Sequence, residues 1–158
     1  MKLHMRANLN SLKRLDQDVQ DISCFSIPVL GQLLLESYFG TTDWEDGTTL
    51  EDAISEIRKA LDGEYGDFSH SASAAIVEAS NKPVSSVFCS IYEYEPFVIF
   101  SFTHPSEIGK GFASRLIKNA AANFSESGFE TLHLYVTDSN PALRLYESLG
   151  FKVINSGL

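Results

Sequence analysis

The spacing of apolar residues changes abruptly near residue 73, and that change restricts the fold more than any other feature. SAAIVEA (73–79), VSSVFCSIY (84–92) and PFVIFSFT (96–103) are runs of β-branched and aromatic residues. Asn81-Lys82-Pro83 and Glu95-Pro96 separate them, as turn residues separate strands. A long helix from about 109 to 126 follows, then a strand TLHLYVT (131–137), a helix PALRLYESL (141–149) and a last strand FKVI (151–154). Three meandering strands followed by strand–helix alternation imply an α/β domain with a mixed sheet. At 158 residues the chain fits one domain and can bury a sizeable core.

Before residue 73 the pattern is helical. LHMRA (3–7) reads as a short first strand, and SLKRLDQDV (11–19) has helical spacing with little to cap it. IPVLGQLLLESYF (27–39) reads as a helix with Pro28 in its first turn and Gly40 at its end. In TTLEDAISEIRKAL (48–61), Leu50, Ile54, Ile57 and Leu61 recur at helical spacing. Thr48 or Thr49 with Glu51 or Asp52 forms a capping-box start, and Gly63 closes the helix. No repeat, low-complexity segment or linker interrupts the chain.

A net charge of −9 and the lack of a Lys/Arg cluster argue against nucleic acid as a partner. The same charge, with the stretch Asp43-Trp44-Glu45-Asp46 and Tyr65, suits a cationic amine, although a solvated acidic loop is the plainer reading. Cys24 and Cys89 have no metal-ligand spacing around them, so no metal is expected. Both read as small buried apolar residues in a reducing compartment. MKLHMRANLNS contains no long apolar run, and no stretch approaches the ~20 residues of a membrane span. A cytoplasmic protein without membrane partners is the expectation.

HPSEIGKGFASRLI (104–117) places Gly109 and Gly111 where a helix is about to start. Glycine costs a helix interior about 1 kcal/mol relative to alanine. At a helix N-terminus, however, it exposes unpaired N–H groups to a bulky anion, the physics of phosphate-binding turns. Gly-x-x-x-x-Gly-Lys-Ser/Thr is absent, and Ser114 stands where a dinucleotide fingerprint needs glycine.

Ile108-Gly109-Lys110-Gly111-Phe112-Ala113 resembles a different turn, the acyl-CoA pyrophosphate loop of the GCN5-related N-acetyltransferase (GNAT) superfamily, Gln/Arg-x-x-Gly-x-Gly/Ala. Ile108 departs from it, standing where Arg or Gln is usual. LYVTDSNPALRLYESLGFKVI (134–154) resembles the superfamily's closing segment, supplying Asn140, Ala142, Leu145, Tyr146, Gly150 and Phe151. The two motifs lie one helix and one strand apart, as the family requires. The resemblance covers about residues 73–154.

The resemblance implies a single α/β domain over 1–158 with a mixed, splayed central sheet flanked by helices. Residues 73–158 would be the acyl-CoA-binding core, and 1–72 an acceptor-side lobe. Two parallel strands part, and acetyl-CoA enters as cosubstrate. The pantetheine arm pairs with the strand ending at Phe102 and Thr103, a backbone N–H there polarises the carbonyl, and the pyrophosphate rests on Gly109, Lys110, Gly111, Phe112, Ala113 and Ser114. Tyr146 matches the tyrosine that protonates the departing sulfur. Asn140 is a pantetheine ligand, the N-cap of the helix at Pro141, or both. Glu78, Glu93, Glu95, His104 and His133 lie near the cleft without one of them standing out as the base. The implied activity is transfer of an acetyl group to a primary amine of a small molecule, peptide or protein. The alternative is a CoA-binding regulatory module without turnover. The family usually adds one more strand after the one that follows Gly150-Phe151, so that edge is expected to be short or covered by the partner of a homodimer.

Overall fold

The computed structural model describes residues 1–38 and 47–156. Asp43, Trp44, Glu45 and Asp46 lie outside them, as does Gly40. Eight strands form one sheet: β1 (Lys2–Asn8), β2 (Gln20–Asp21), β3 (Asp67–Phe68), β4 (Ala74–Val77), β5 (Pro83–Tyr92), β6 (Glu95–Thr103), β7 (Thr131–Thr137) and β8 (Lys152–Ser156). Their order is β2-β4-β5-β6-β7-β1-β8, with β3 beside β5. All pairs are antiparallel except β6 with β7. The sheet is therefore mixed, as the change of period implies.

Helices α1 (Leu9–Leu12), α2 (Ile27–Tyr38), α3 (Leu50–Leu61), α4 (Phe112–Glu126) and α5 (Leu143–Ser148) flank it. α3 starts on a capping box, Thr49 Oγ1 accepting from Asp52 N at 3.2 Å and Asp52 Oδ2 accepting from Thr49 N at 2.9 Å. Such a cap stabilises a helix by roughly 1 kcal/mol. The sheet buries both faces. Val87, Cys89, Val98, Leu132 and Leu134 pack with Leu116, Ile117 and Ala120 of α4. Phe88 and Phe102 pack with Leu30, Leu33 and Leu34 of α2 and Ile57 of α3.

Two expectations fail. The helix over 11–19 is absent, because α1 stops at Leu12 and Lys13 is extended. Instead, this segment is strapped to α4: Asn119 Oδ1 accepts from Asp16 N at 3.1 Å, and Arg115 Nε donates to Asp16 Oδ2 at 2.7 Å. Cys24, expected to be buried, is exposed, whereas Cys89 is fully buried and burial pushes its thiol pKa up.

The edge of β7 is covered from within the chain. β1 pairs with β7 over its whole length, Lys2 opposite Thr137 and Asn8 opposite Thr131, and with β8 on its other side. The N-terminal strand thus lies between β7 and β8, and β8, the strand after Gly150-Phe151, is an edge of the sheet among the described residues. Residues 2–8 accordingly belong to the sheet of the 73–158 half. Every residue of β8, the last strand of the sheet, is exposed.

Candidate active site

β6 and β7 are paired only at Phe97–His133 and Val98–Leu134. The cause lies one strand over. Phe88 of β5 faces Phe100, while Cys89 faces Val98, so Ile99 is an extra residue on β6. A bulge bends and twists the strand that carries it. Beyond it, β6 continues with β5 to Thr103, while β7 stays with β1 to Thr137. Each strand keeps one partner, so the sheet opens without either strand losing its fold. The gap leaves the backbone of residues 99–103 facing β7 unpaired across the sheet.

The gap opens into a cleft of about 660 Å³. Phe102, Thr103, Gly109, Gly111, Phe112, Ala113, Ser114, Asn140 and Tyr146 all line it, as does Ala142 on the face of α5 shared with Tyr146. The Phe102 side chain is buried in the α2–α3 core, and Thr103 Oγ1 lies 2.7 Å from Ser85 Oγ. At Phe102 this leaves the backbone, not the side chain, to face a ligand.

Between β6 and α4, a 3-10 turn over Pro105–Glu107 leads to Gly109 and Gly111, at φ +88° and +84°. A Cβ on either glycine would meet no protein atom within 4 Å. The backbone conformation, not packing, requires glycine here. α4 therefore begins at Phe112, three residues later than spacing predicts, with Gly111 as N-cap and no side chain capping it. The N–H groups of Phe112, Ala113 and Ser114 have no partner inside the helix. Together with the helix dipole they form a site for an anion at one end of the cleft.

Lys110 is the predicted site residue that the cleft does not include. Its ammonium lies 2.6 Å from Glu107 Oε2, a hydrogen bond that raises its pKa. Glu107 lines the cleft. Tyr146, also in the cleft lining, is 8% exposed, its ring edge-on to Phe151. Burial raises its pKa above 10, opposed by a hydrogen bond with the Ser101 side chain. The phenol thus stays protonated at neutral pH. Asn140 Oδ1 accepts from Ala142 N at 2.9 Å in the turn before α5, which begins at Leu143 with Ala142, not Asn140, as its N-cap.

None of the five candidate bases lines the cleft. His104 Nε2 is 3.1 Å from Glu36 Oε2 of α2. His133 Nε2 is 3.3 Å from Glu95 Oε2, and its Nδ1 is 3.0 Å from His4 Nε2. Tyr65 also lies outside the cleft, donating to Glu56 Oε2 at 2.6 Å, and burial with that carboxylate pushes its pKa up to about 12. Sequence reasoning missed Ser101, Lys2, Ser37, Tyr38 and Tyr135, which complete the site. Lys2 and Tyr135 are carried there by β1 and β7, and only the pairing of strands far apart in sequence shows it.

Among the described residues, no group of His, Cys, Asp and Glu could hold a metal ion, and no helix is long and apolar enough to cross a membrane. A family model described as "Acetyltransferase (GNAT) family" matches residues 32–151. No curated protein matches the chain in sequence. Among solved structures, a GCN5-related N-acetyltransferase from Sphaerobacter thermophilus superposes with TM-score 0.69 at 14% identity, covering 96% of this chain and 48% of that one. A GNAT-family protein from Novosphingobium aromaticivorans, described as a putative acetyltransferase, gives 0.65 at 22%, covering 96% and 59%. The chain thus spans about half the length of these two. The PaiA N-acetyltransferase of Thermoplasma acidophilum, solved in complex with coenzyme A, gives 0.68 at 17%, covering 88% and 91%.

Proposed function

Because the chain belongs to the GNAT acetyltransferase family, we propose that it transfers an acetyl group from acetyl-CoA directly to a primary amine. The observation that carries this reading is the joining, in one cleft, of an uncapped helix N-terminus and a buried tyrosine hydroxyl across a split pair of parallel strands. The thioester needs an anion site for its diphosphate, an extended backbone for its pantetheine arm, and an acid for its sulfur. The cleft offers all three.

In this reading the diphosphate is held by the N–H groups of Gly111, Phe112, Ala113 and Ser114. The Lys110–Glu107 pair is nearly neutral, so the backbone contributes most of the attraction. The arm runs along residues 99–103 of β6, and Asn140 meets it from the far wall. A backbone N–H of that stretch donates to the thioester oxygen as negative charge develops there, the largest single contribution in most acyl transfers. The neutral amine attacks the carbonyl carbon, the C–S bond breaks, and the Tyr146 hydroxyl gives its proton to the departing thiolate. The products are the amide and free CoA thiol. Solvent returns the phenol proton and accepts the proton that the amine loses.

The experiment is to incubate the protein with acetyl-CoA and a panel of amines and peptides, reading free thiol and the acetylated product by mass. Amine-dependent thiol release with acetylated product supports the proposal. Tight acetyl-CoA binding without turnover on any acceptor would replace it with a CoA-binding module.

A further inference from the structure

One face of β1 is cationic where it borders the cleft, in a chain whose overall charge is −9. Leu3, Met5 and Ala7 of β1 are buried, so the alternate residues Lys2, His4 and Arg6 share the other face of the sheet. There, Lys2 lies opposite Thr137, His4 opposite Tyr135 and Arg6 opposite His133, with Lys152 of β8 across from Arg6. Lys2 and Tyr135 line the cleft itself, the Lys2 ammonium 5.5 Å from the centre of the Tyr135 ring. Among the described residues neither Lys2 nor Arg6 takes part in an ion pair. The nearby carboxylates are engaged: Asp138 with the Met1 amino group at 3.1 Å, and Glu95 with His133 at 3.3 Å.

We propose that the acceptor is an amine that also carries a carboxylate, held by the Lys2 ammonium that lines the cleft. This rests on the reading of the cleft as an acyl-transfer site. It departs from the cationic acceptor that net charge points to. Charges beyond about 10 Å are screened at 0.1 M salt, so the cations beside the bound acceptor outweigh the distant acids. The arrangement also serves the chemistry. Only a neutral amine attacks, and a nearby cation disfavours the ammonium form. A carboxylate recruits the acceptor while Lys2 keeps its amine from holding a proton.

The test is calorimetric binding to CoA-saturated protein of three amines with one four-carbon skeleton: γ-aminobutyrate, γ-aminobutyramide and putrescine. The C-terminally amidated peptides Ala-Glu-Glu and Ala-Gln-Gln, run alongside, distinguish an acidic polypeptide N-terminus from a free amino acid as the source of the carboxylate. Within either pair the anionic member should bind about threefold to fivefold more tightly, the upper range for one exposed ion pair. Lys2→Met, which keeps the apolar stem, should abolish the preference, and Lys2→Glu should reverse it. Both act at an exposed residue, so melting temperature serves as the folding control. Equal binding within both pairs, tighter binding of putrescine, binding of none of the five, or a preference that survives Lys2→Glu would overturn the proposal. Thiol release from acetyl-CoA is then read separately with the same amines. Its absence, with the anion preference intact, would remove the acyl-transfer reading and leave the binding preference standing.

Discussion

Tyr146→Phe separates chemistry from packing, because it removes one oxygen from a buried ring and nothing else. The ring keeps its contact with Phe151 and its place beside Ala142 on the cleft wall. The stability lost is that of the hydrogen bond with the Ser101 side chain, about 0.5–1.5 kcal/mol. Ser101 is only half-buried, so water can satisfy it, which favours the lower end. For a domain of this size that lowers the melting temperature by roughly 1–2 °C. The rate should respond far more. If protonation of the thiolate limits turnover, losing a positioned acid costs about 10²–10⁴-fold, or roughly 2.7–5.5 kcal/mol of barrier. The assay is kcat for thiol release at saturating acetyl-CoA, with its Kd and the melting temperature measured on the same samples. Because burial raises the phenol pKa, any loss of wild-type activity from its ionisation should set in at a higher pH than for an exposed tyrosine. A full-speed variant would refute the assignment, showing that water or another group protonates the sulfur. A large fall in melting temperature alongside the lost activity would make Tyr146 a packing residue instead.

Gly111→Val forces a β-branched residue into a left-handed conformation, φ +84°, where any L residue is strained by roughly 1–2 kcal/mol. Since its Cβ meets open space on the protein side, the apo fold should survive with a modestly lower melting temperature. The stabilisation by acetyl-CoA, which follows ligand linkage, should disappear; an undiminished acetyl-CoA shift would show that the diphosphate lies elsewhere. A second prediction concerns pH. Burial, then the Arg6 charge, lowers the pKa of His4 below 6.5; burial does the same to His133, against the pull of Glu95. Depressed values mean that the folded state favours neutral rings, so the stability they contribute is complete above about 6.5 and lost as pH falls through the folded values. The melting temperature of the wild type should therefore fall more steeply below about pH 6.5 than that of a His4→Gln, His133→Gln double variant. Parallel curves would refute this.

The strands after residue 73 were legible because alternation and turn residues act locally. β7 has the bounds that TLHLYVT predicts, and Thr49 with Asp52 caps α3 as its spacing requires. Local signals also misled. Leu12, Leu15 and Val19 have helical spacing, yet Leu15 is 56% exposed, and long-range bonds from Arg115 and Asn119 hold the segment extended. The site residues on the glycine turn and α5 were legible as a motif. Lys2 and the His4–His133 pair were not, because they depend on β1 inserting between β7 and β8. The two histidines are separated by 129 positions, and nothing in either local sequence announces the other. The Ile99 bulge that opens the cleft is likewise a matter of register with β5, which a single strand does not reveal.

In the proposed complex acyl-CoA occupies the gap between β6 and β7, with its diphosphate on the start of α4. Amide-resolved NMR during an acetyl-CoA titration tests it most directly. Saturable shifts should concentrate at the backbone N–H groups of Gly111, Phe112, Ala113 and Ser114 and along residues 99–103, with the exposed strand β8 unmoved. Shifts that cluster away from the gap, or no saturable shift at millimolar acetyl-CoA, would contradict it.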